Sequence, residues 1–237
     1  MHDHALTHLR RDPVLARVIA DVGPCRFAAR SEGSHFDHIV RAIVYQQLSG
    51  RAAATIHSRV VALFDGKPSA IGLLTATDDQ LRSAGLSRQK IGYLRDLAQR
   101  VHAGDLPVDR LHDLADEEAI AALTRVKGIG RWTAHMFLMF RLGRPDVLPD
   151  LDLGIRKAIQ LAYRLRRMPN SERVLAIGAP WAPHRTIASW YLWRSLEQPS
   201  ARATPKKRRA HTAASAPARK TSRRRTKSAR KTARGRR

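Results

Sequence analysis

Leu123-Thr124-Arg125-Val126-Lys127-Gly128-Ile129-Gly130-Arg131-Trp132-Thr133-Ala134 leads into an apolar run and then into Pro149-Asp150-Leu151-Asp152-Leu153. Two glycines two residues apart, between amphipathic stretches, make a tight turn joining two helices. The second helix is expected to start at Gly130 or Arg131, with its free backbone N–H groups pointing outward. Such an end is an anion site. A side chain at Gly128 or Gly130 would obstruct an approaching phosphate. Lys127 and Arg131 add positive charge without selecting a base. Taken alone, a Gly-Ile-Gly turn reads equally well as an ordinary helix connection.

The flanks read as helices, with almost no strand signal. Asp12-Pro13 is a cap followed by proline at the first helical position, and the helix Val14–Val22 stops at Gly23-Pro24. Ser34 caps a second helix with Phe36, Ile39, Val40, Ile43 and Val44 at helical spacing. A third runs from about Arg51 to Phe64, where Ala52, Ala53 and Ala54 allow close packing. Thr77 to Gln80 has the spacing of a capping box. Ser87 caps a long helix from Arg88 to His102, and Asp116 opens the one that leads into the hairpin. Asp152 starts a helix of about Leu153 to Leu165, Asn170 or Ser171 caps a short one, and the last runs from His184 to Glu197. About ten helices with short connections make an all-α domain over residues 1–199.

Charge narrows the class of partner. The net charge is +24, but residues 201–237 hold 16 Lys/Arg and no Asp or Glu. The first 200 residues keep 28 Lys/Arg against 20 Asp/Glu, a net +8. Residues 200–237 lack large apolar side chains and are expected to be a disordered Lys/Arg-rich tail. That composition fits an electrostatic arm on the phosphate backbone, and equally a solubilising tail. Nucleic acid is favoured over a membrane, because the tail has no apolar face and no apolar run approaches the ~20 residues a spanning helix needs. The start of the chain lacks the pattern of a secretory signal, and a cytoplasmic, monomeric protein is expected. One cysteine, Cys25, excludes an internal disulfide or a four-cysteine metal or iron–sulfur site. The eleven histidines form no convincing ligand pattern, so neither metal nor cofactor is expected.

The region from about Phe36 to Trp193 resembles the helix-hairpin-helix DNA glycosylase superfamily, specifically its 3-methyladenine DNA glycosylase II branch. The resemblance rests on Ala42-Ile43-Val44-Tyr45-Gln46-Gln47-Leu48-Ser49, on Gly85-Leu86-Ser87 with Lys90 and Tyr93-Leu94, and on the hairpin through Trp132-Thr133-Ala134. It continues through Asp146-Val147 to Asp152-Leu153-Gly154, and through Trp181 to Arg185 with Trp190 to Trp193. It implies a two-lobed helical fold with the active site in the cleft between lobes. Aligned through Leu153-Gly154, the family's catalytic carboxylate falls on Asp152, with Asp150 as the alternative because Leu151 separates the two acids. Gln47 falls where relatives insert a residue into the gap left by the flipped base. Trp132 and Trp193 match positions that line the base pocket, with Tyr45 a further wall, and Met136 stands where some relatives have tyrosine. The hairpin, including Thr133, takes the DNA backbone. Relatives that also cut the backbone carry lysine two residues after the second glycine. Here that residue is Trp132, which implies no Schiff base and no lyase step.

Cleaving an N-glycosidic bond builds positive charge on the sugar, and one carboxylate can stabilise that charge and orient water. An aspartate at a helix start is more often only a cap, and both roles can coexist. An indole face attracts a cationic alkylated purine. The same tryptophans read as core packing, and Gln47 as a solvated helix end. The sequence therefore points to a monofunctional glycosylase that flips and excises alkylated purines, 3-methyladenine and 7-methylguanine, from double-stranded DNA. Its rivals are a non-enzymatic DNA-binding protein and a glycosylase for deaminated or oxidised bases.

Overall fold

The computed structural model describes residues 2–30 and 32–197. Among these the chain forms twelve α-helices and two short 3-10 turns, with no strand. The path visits two cores. It starts in the first lobe with α1 (Asp3–Leu9) and α2 (Pro13–Val22). It then builds the second lobe from α3 (His35–Tyr45), α4 (Gly50–Ala62), α5 (Ala70–Thr75), α6 (Asp78–Ser83), α7 (Arg88–His102), α8 (Asp116–Thr124) and α9 (Arg131–Phe140). It returns to the first lobe with α10 (Leu153–Ala162), α11 (Ser171–Gly178) and α12 (Arg185–Glu197).

The second lobe closes around Val40, Ile43, Leu94, Leu97, Leu123 and Leu138. The first closes around Leu15, Ile19, Ile155, Ile159, Trp181 and Tyr191. Each buried Leu, Ile or Val contributes about 1.5–3 kcal/mol, against about 0–1 kcal/mol for an exposed ion pair, so these two cores hold the lobes. Trp193 packs against both cores and bridges them.

Local caps set most boundaries. The Ser34 hydroxyl accepts from the Asp37 amide at 3.1 Å, and the Asp37 carboxylate accepts from the Ser34 amide at 2.9 Å. Thr77 and Gln80 pair in the same way at the start of α6. Asp12 caps α2 through the Val14 amide at 2.8 Å, while its other oxygen accepts from the Trp181 indole at 3.0 Å and from the Tyr163 hydroxyl. One carboxylate thus joins the start of α2 to the end of α10 and to the turn before α12.

The structure departs from the sequence reading in several places. α1 and α5 are additional helices. α1 has no side-chain cap and buries only Ala5 and Leu9. α5 buries only Leu73, and Arg95 of α7 closes its end by donating to the carbonyls of Leu73, Leu74 and Ala76. A partner this distant in sequence leaves no local pattern. Of Ala52, Ala53 and Ala54 in α4, only Ala53 is buried. α10 stops at Ala162, short of Leu165, and Arg164 follows in the left-handed region at φ 55°. Asn170, not Ser171, caps α11. No described helix is long and apolar enough to cross a membrane. The expectation for residues 200–237 lies outside the described residues.

Candidate active site

The hairpin joins α8 to α9. Gly128 turns it at φ 82°, and a Cβ there would lie 2.3 Å from the Tyr93 ring. This glycine is therefore demanded by the protein's own packing, whereas the sequence offered phosphate approach as the reason. Gly130 is different. Its φ is −96°, it precedes α9, and a Cβ there would meet nothing within 4 Å. No side chain caps α9, so its first backbone N–H groups are open to an outside acceptor. Lys127 extends an exposed ammonium, its side chain 73% accessible and its Nζ 3.8 Å from Asp96 Oδ1. Arg131 forms a two-bond fork to Glu117 of α8, at 2.9 and 2.5 Å. That fork holds the Glu117 carboxyl below its ordinary value. Both side chains are solvent-exposed, so the pair is weak and a phosphate can compete for Arg131.

Two contacts missed in the sequence aim the hairpin. The Gln46 side-chain amide donates to the Gly128 carbonyl at 2.8 Å. Lys90 donates to the carbonyls of Val44 and Gln46 at 2.7 and 2.8 Å, closing the C-terminal end of α3. Gln47 follows in the left-handed region at φ 56°, exposed beside the hairpin. From below, Asp96 of α7, only 8% exposed, accepts from the Lys127 amide and from Arg100, both at 2.9 Å.

Burial pushes the Asp96 carboxyl up. The Lys127 amide and the Arg100 guanidinium outweigh that effect and hold it below the ordinary carboxylate value. A depressed native value means that this stabilisation is present above the unfolded-state value and is lost as pH falls through the native one. Asp96→Asn is expected to cost about 1–3 kcal/mol at pH 7. The gap to wild type should close in acid, below the ordinary aspartate range near pH ~4. Urea unfolding at several pH values checks this, and a gap that stays constant into acid would contradict the assignment.

Asp152 is the N-cap of α10, its Oδ1 accepting from the Ile155 amide at 2.8 Å. The same oxygen accepts from the Trp193 indole at 2.8 Å, and Oδ2 accepts from the Trp132 indole at 2.7 Å. Three N–H groups from α9, α10 and α12 therefore converge on one half-buried carboxylate. Asp150 is placed otherwise. It is 8% exposed, accepts from the Ser171 hydroxyl, and ties its loop to α11.

A cleft opens between α3 and α9. Its hairpin side, about 610 Å³, is lined by Gln46, Gln47, Lys90, Tyr93 and Gly128. Its far side, about 460 Å³, is lined by Arg41, Phe137, Phe140 and the connecting loop at Arg30. The two share Ala42, Tyr45, Trp132, Thr133 and Met136. The sequence-selected Tyr45, Trp132, Met136, Thr133 and Gln47 thus meet at one place. Trp193 lines neither side. It stacks on Phe140, with ring centroids 5.9 Å apart, and so backs the far wall while holding Asp152. Among the described residues no group of three His, Cys, Asp or Glu is arranged to hold a metal ion.

An anion-ready hairpin, an aromatic cleft and one carboxylate at the seam of two helical lobes place this chain among the base-excision DNA repair proteins. Residues 40–183 match the HhH-GPD superfamily of base excision DNA repair proteins, and the chain belongs to that superfamily. It is 34% identical over 184 residues to DNA-3-methyladenine glycosylase 1 of Schizosaccharomyces pombe, covering 76% of this chain and 80% of that protein. It is 35% identical over 173 residues to a putative DNA-3-methyladenine glycosylase of Bacillus subtilis, covering 69% of this chain and 60% of that one. The solved structure of the Schizosaccharomyces pombe 3-methyladenine DNA glycosylase in complex with abasic DNA superposes with a TM-score of 0.72 at 35% identity, over 81% of this chain and 95% of that one.

Proposed function

We propose that this protein is a monofunctional DNA glycosylase that excises alkylated purines, 3-methyladenine and 7-methylguanine, from double-stranded DNA, and that it acts as a monomer. The convergence of Trp132, Trp193 and the start of α10 on Asp152, beside the aromatic cleft, carries the reading. DNA lies across the hairpin, with phosphates at the open N–H groups of α9 and at Lys127. Gln47 fills the gap left by the flipped nucleotide, whose base enters between Tyr45 and Trp132. As the N-glycosidic bond breaks, the base leaves with its electron pair and the sugar becomes positive. Asp152 stabilises that charge and orients the water whose oxygen bonds to the sugar carbon, and the displaced proton passes to solvent. Trp132 stands where an amine would be needed, so no Schiff base forms there and the strand stays intact.

The test is chromatography of bases released from methylated duplex DNA, with the strands run on a denaturing gel. Free 3-methyladenine and 7-methylguanine with uncut strands are expected. No released base despite tight binding would favour a non-enzymatic DNA-binding protein. Borohydride trapping of the protein on DNA would overturn the monofunctional assignment.

The 16 Lys/Arg of residues 201–237 bear on affinity alone. Deleting them is expected to weaken duplex binding and flatten its dependence on salt, since each lost phosphate contact removes about 0.9 from the log–log slope. The ratio of released bases should not change, and an altered ratio would contradict the role of an electrostatic arm.

A further inference from the structure

The far side of the cleft holds a cation that the proposed excision chemistry leaves unused. Arg41 lies one turn of α3 before Tyr45, about 6 Å along the helix axis and away from Gln47. Its guanidinium carbon sits 4.0 Å from the Tyr45 ring centroid. The residue is half-buried, and among the described residues no hydrogen bond or ion pair takes up its N–H groups. This cation–π contact holds the guanidinium against the ring while its N–H groups keep no protein partner among the described residues. Arg141, on the same wall, has its donors committed to the carbonyls of Arg30, Glu32 and Gly33 and to His35 Nδ1, so it braces the loop.

No ion pair takes up Arg41 among the described residues. His38 and His57 flank it, and burial first, then nearby arginines, hold both imidazoles below their ordinary value. Arg41 also lines the adjoining groove, which it shares with Glu32 and Asp37. Asp37 Oδ2 is engaged by Ser34, and its Oδ1 is buried without a partner. The cleft therefore holds, beside Tyr45, a cation whose N–H donors have no protein partner among the described residues.

We propose that Arg41 reads the 6-position of the flipped purine, donating to a 6-oxo group and so favouring guanine-type over adenine-type lesions. This rests on the glycosylase reading above. In DNA, 3-methyladenine and 7-methylguanine are both cationic purines of similar size, so repulsion from Arg41 weighs on each alike. They differ at the 6-position, where guanine presents a carbonyl acceptor and adenine an amino donor. An arginine N–H meeting a carbonyl forms a charge-assisted hydrogen bond. Meeting an amino group, it sets donor against donor, and sites built to pair with one polar group reject its replacement strongly.

The experiment compares initial rates of release of both bases from one methylated duplex by the full-length wild type and by Arg41→Met, which keeps the aliphatic stem on Tyr45. The ratio of 7-methylguanine to 3-methyladenine is expected to fall about tenfold or more in the variant, with 3-methyladenine release kept or raised and the melting temperature unchanged. Equal loss of both bases, or an unchanged ratio in a folded variant, overturns the assignment. Should Arg41→Met fold poorly, inhibition of the wild type by free purines gives the same readout. Hypoxanthine is expected to inhibit more strongly than adenine, and the reverse order would sink the proposal. A wild type that releases neither base removes the glycosylase reading itself and this proposal with it, an outcome distinct from release at an unchanged ratio.

Discussion

Asp152→Asn is expected to reduce release of methylated purines by at least ~100-fold while leaving duplex affinity nearly unchanged. The loss corresponds to about 2.7 kcal/mol of barrier or more, at 1.36 kcal/mol per tenfold. Two effects combine. The amide carries no charge to set against the positive sugar. It also has one acceptor where the carboxylate uses two. If it keeps the Ile155 and Trp193 bonds made by Oδ1, its –NH2 faces the Trp132 N–H that Oδ2 now accepts. Unfolding is a poor explanation for such a loss, since Asn caps a helix about as well as Asp, and melting should move little. Single-turnover excision, a binding titration and a thermal melt on the same preparation separate these effects. Undiminished excision in a folded variant would remove Asp152 from the chemistry.

Gly128→Ala should carry the largest cost in stability, and Gly130→Ala almost none. At Gly128 the left-handed backbone costs a residue with a Cβ roughly 1–3 kcal/mol. The overlap with Tyr93 at 2.3 Å adds about 1–3 kcal/mol more. Denaturant unfolding should therefore register about 2–6 kcal/mol, together with weaker DNA binding as the hairpin shifts. At Gly130 the backbone is ordinary and the space is empty. Its alanine variant should unfold like the wild type and still bind DNA more weakly, because the methyl group would stand where a phosphate approaches the helix end. Equal stability of the two variants would refute the packing account of Gly128. Full DNA affinity in Gly130→Ala would move the phosphate away from this turn.

What could be read from the sequence follows the range of the forces involved. Caps act within three residues, so the cap at Ser34 and the box of Thr77 with Gln80 were legible, as was the start of α7 at Ser87. The positions of Asp152, Trp132 and Trp193 came through resemblance to a family. Their convergence spans 20 and 41 residues of chain, which no local pattern reports. The same limit hid the supports. Asp96 sits within the helix Arg88–His102 with no local motif to single it out, yet it reaches the Lys127 amide 31 residues on. Gln46 reaches Gly128 across 82 residues. Arg131 read as a free cation because Glu117 belongs to the preceding helix, and only the hairpin's bend brings them together. Arg41 carries no signal in the sequence, since its place over Tyr45 depends on which way the helix turns toward the cleft.

The two indole bonds to Asp152 also bind the carboxylate's aim to the posture of the whole molecule. Trp132 belongs to α9, packed in one core, while Trp193 is carried by α12, packed in the other. α10, which begins at Asp152, shares its core with α12, so the Trp132 bond is the one that reaches the carboxylate from the other core. The orientation of this carboxylate is therefore a property of the assembled molecule, clamped from one lobe by α9 and from the other by α12.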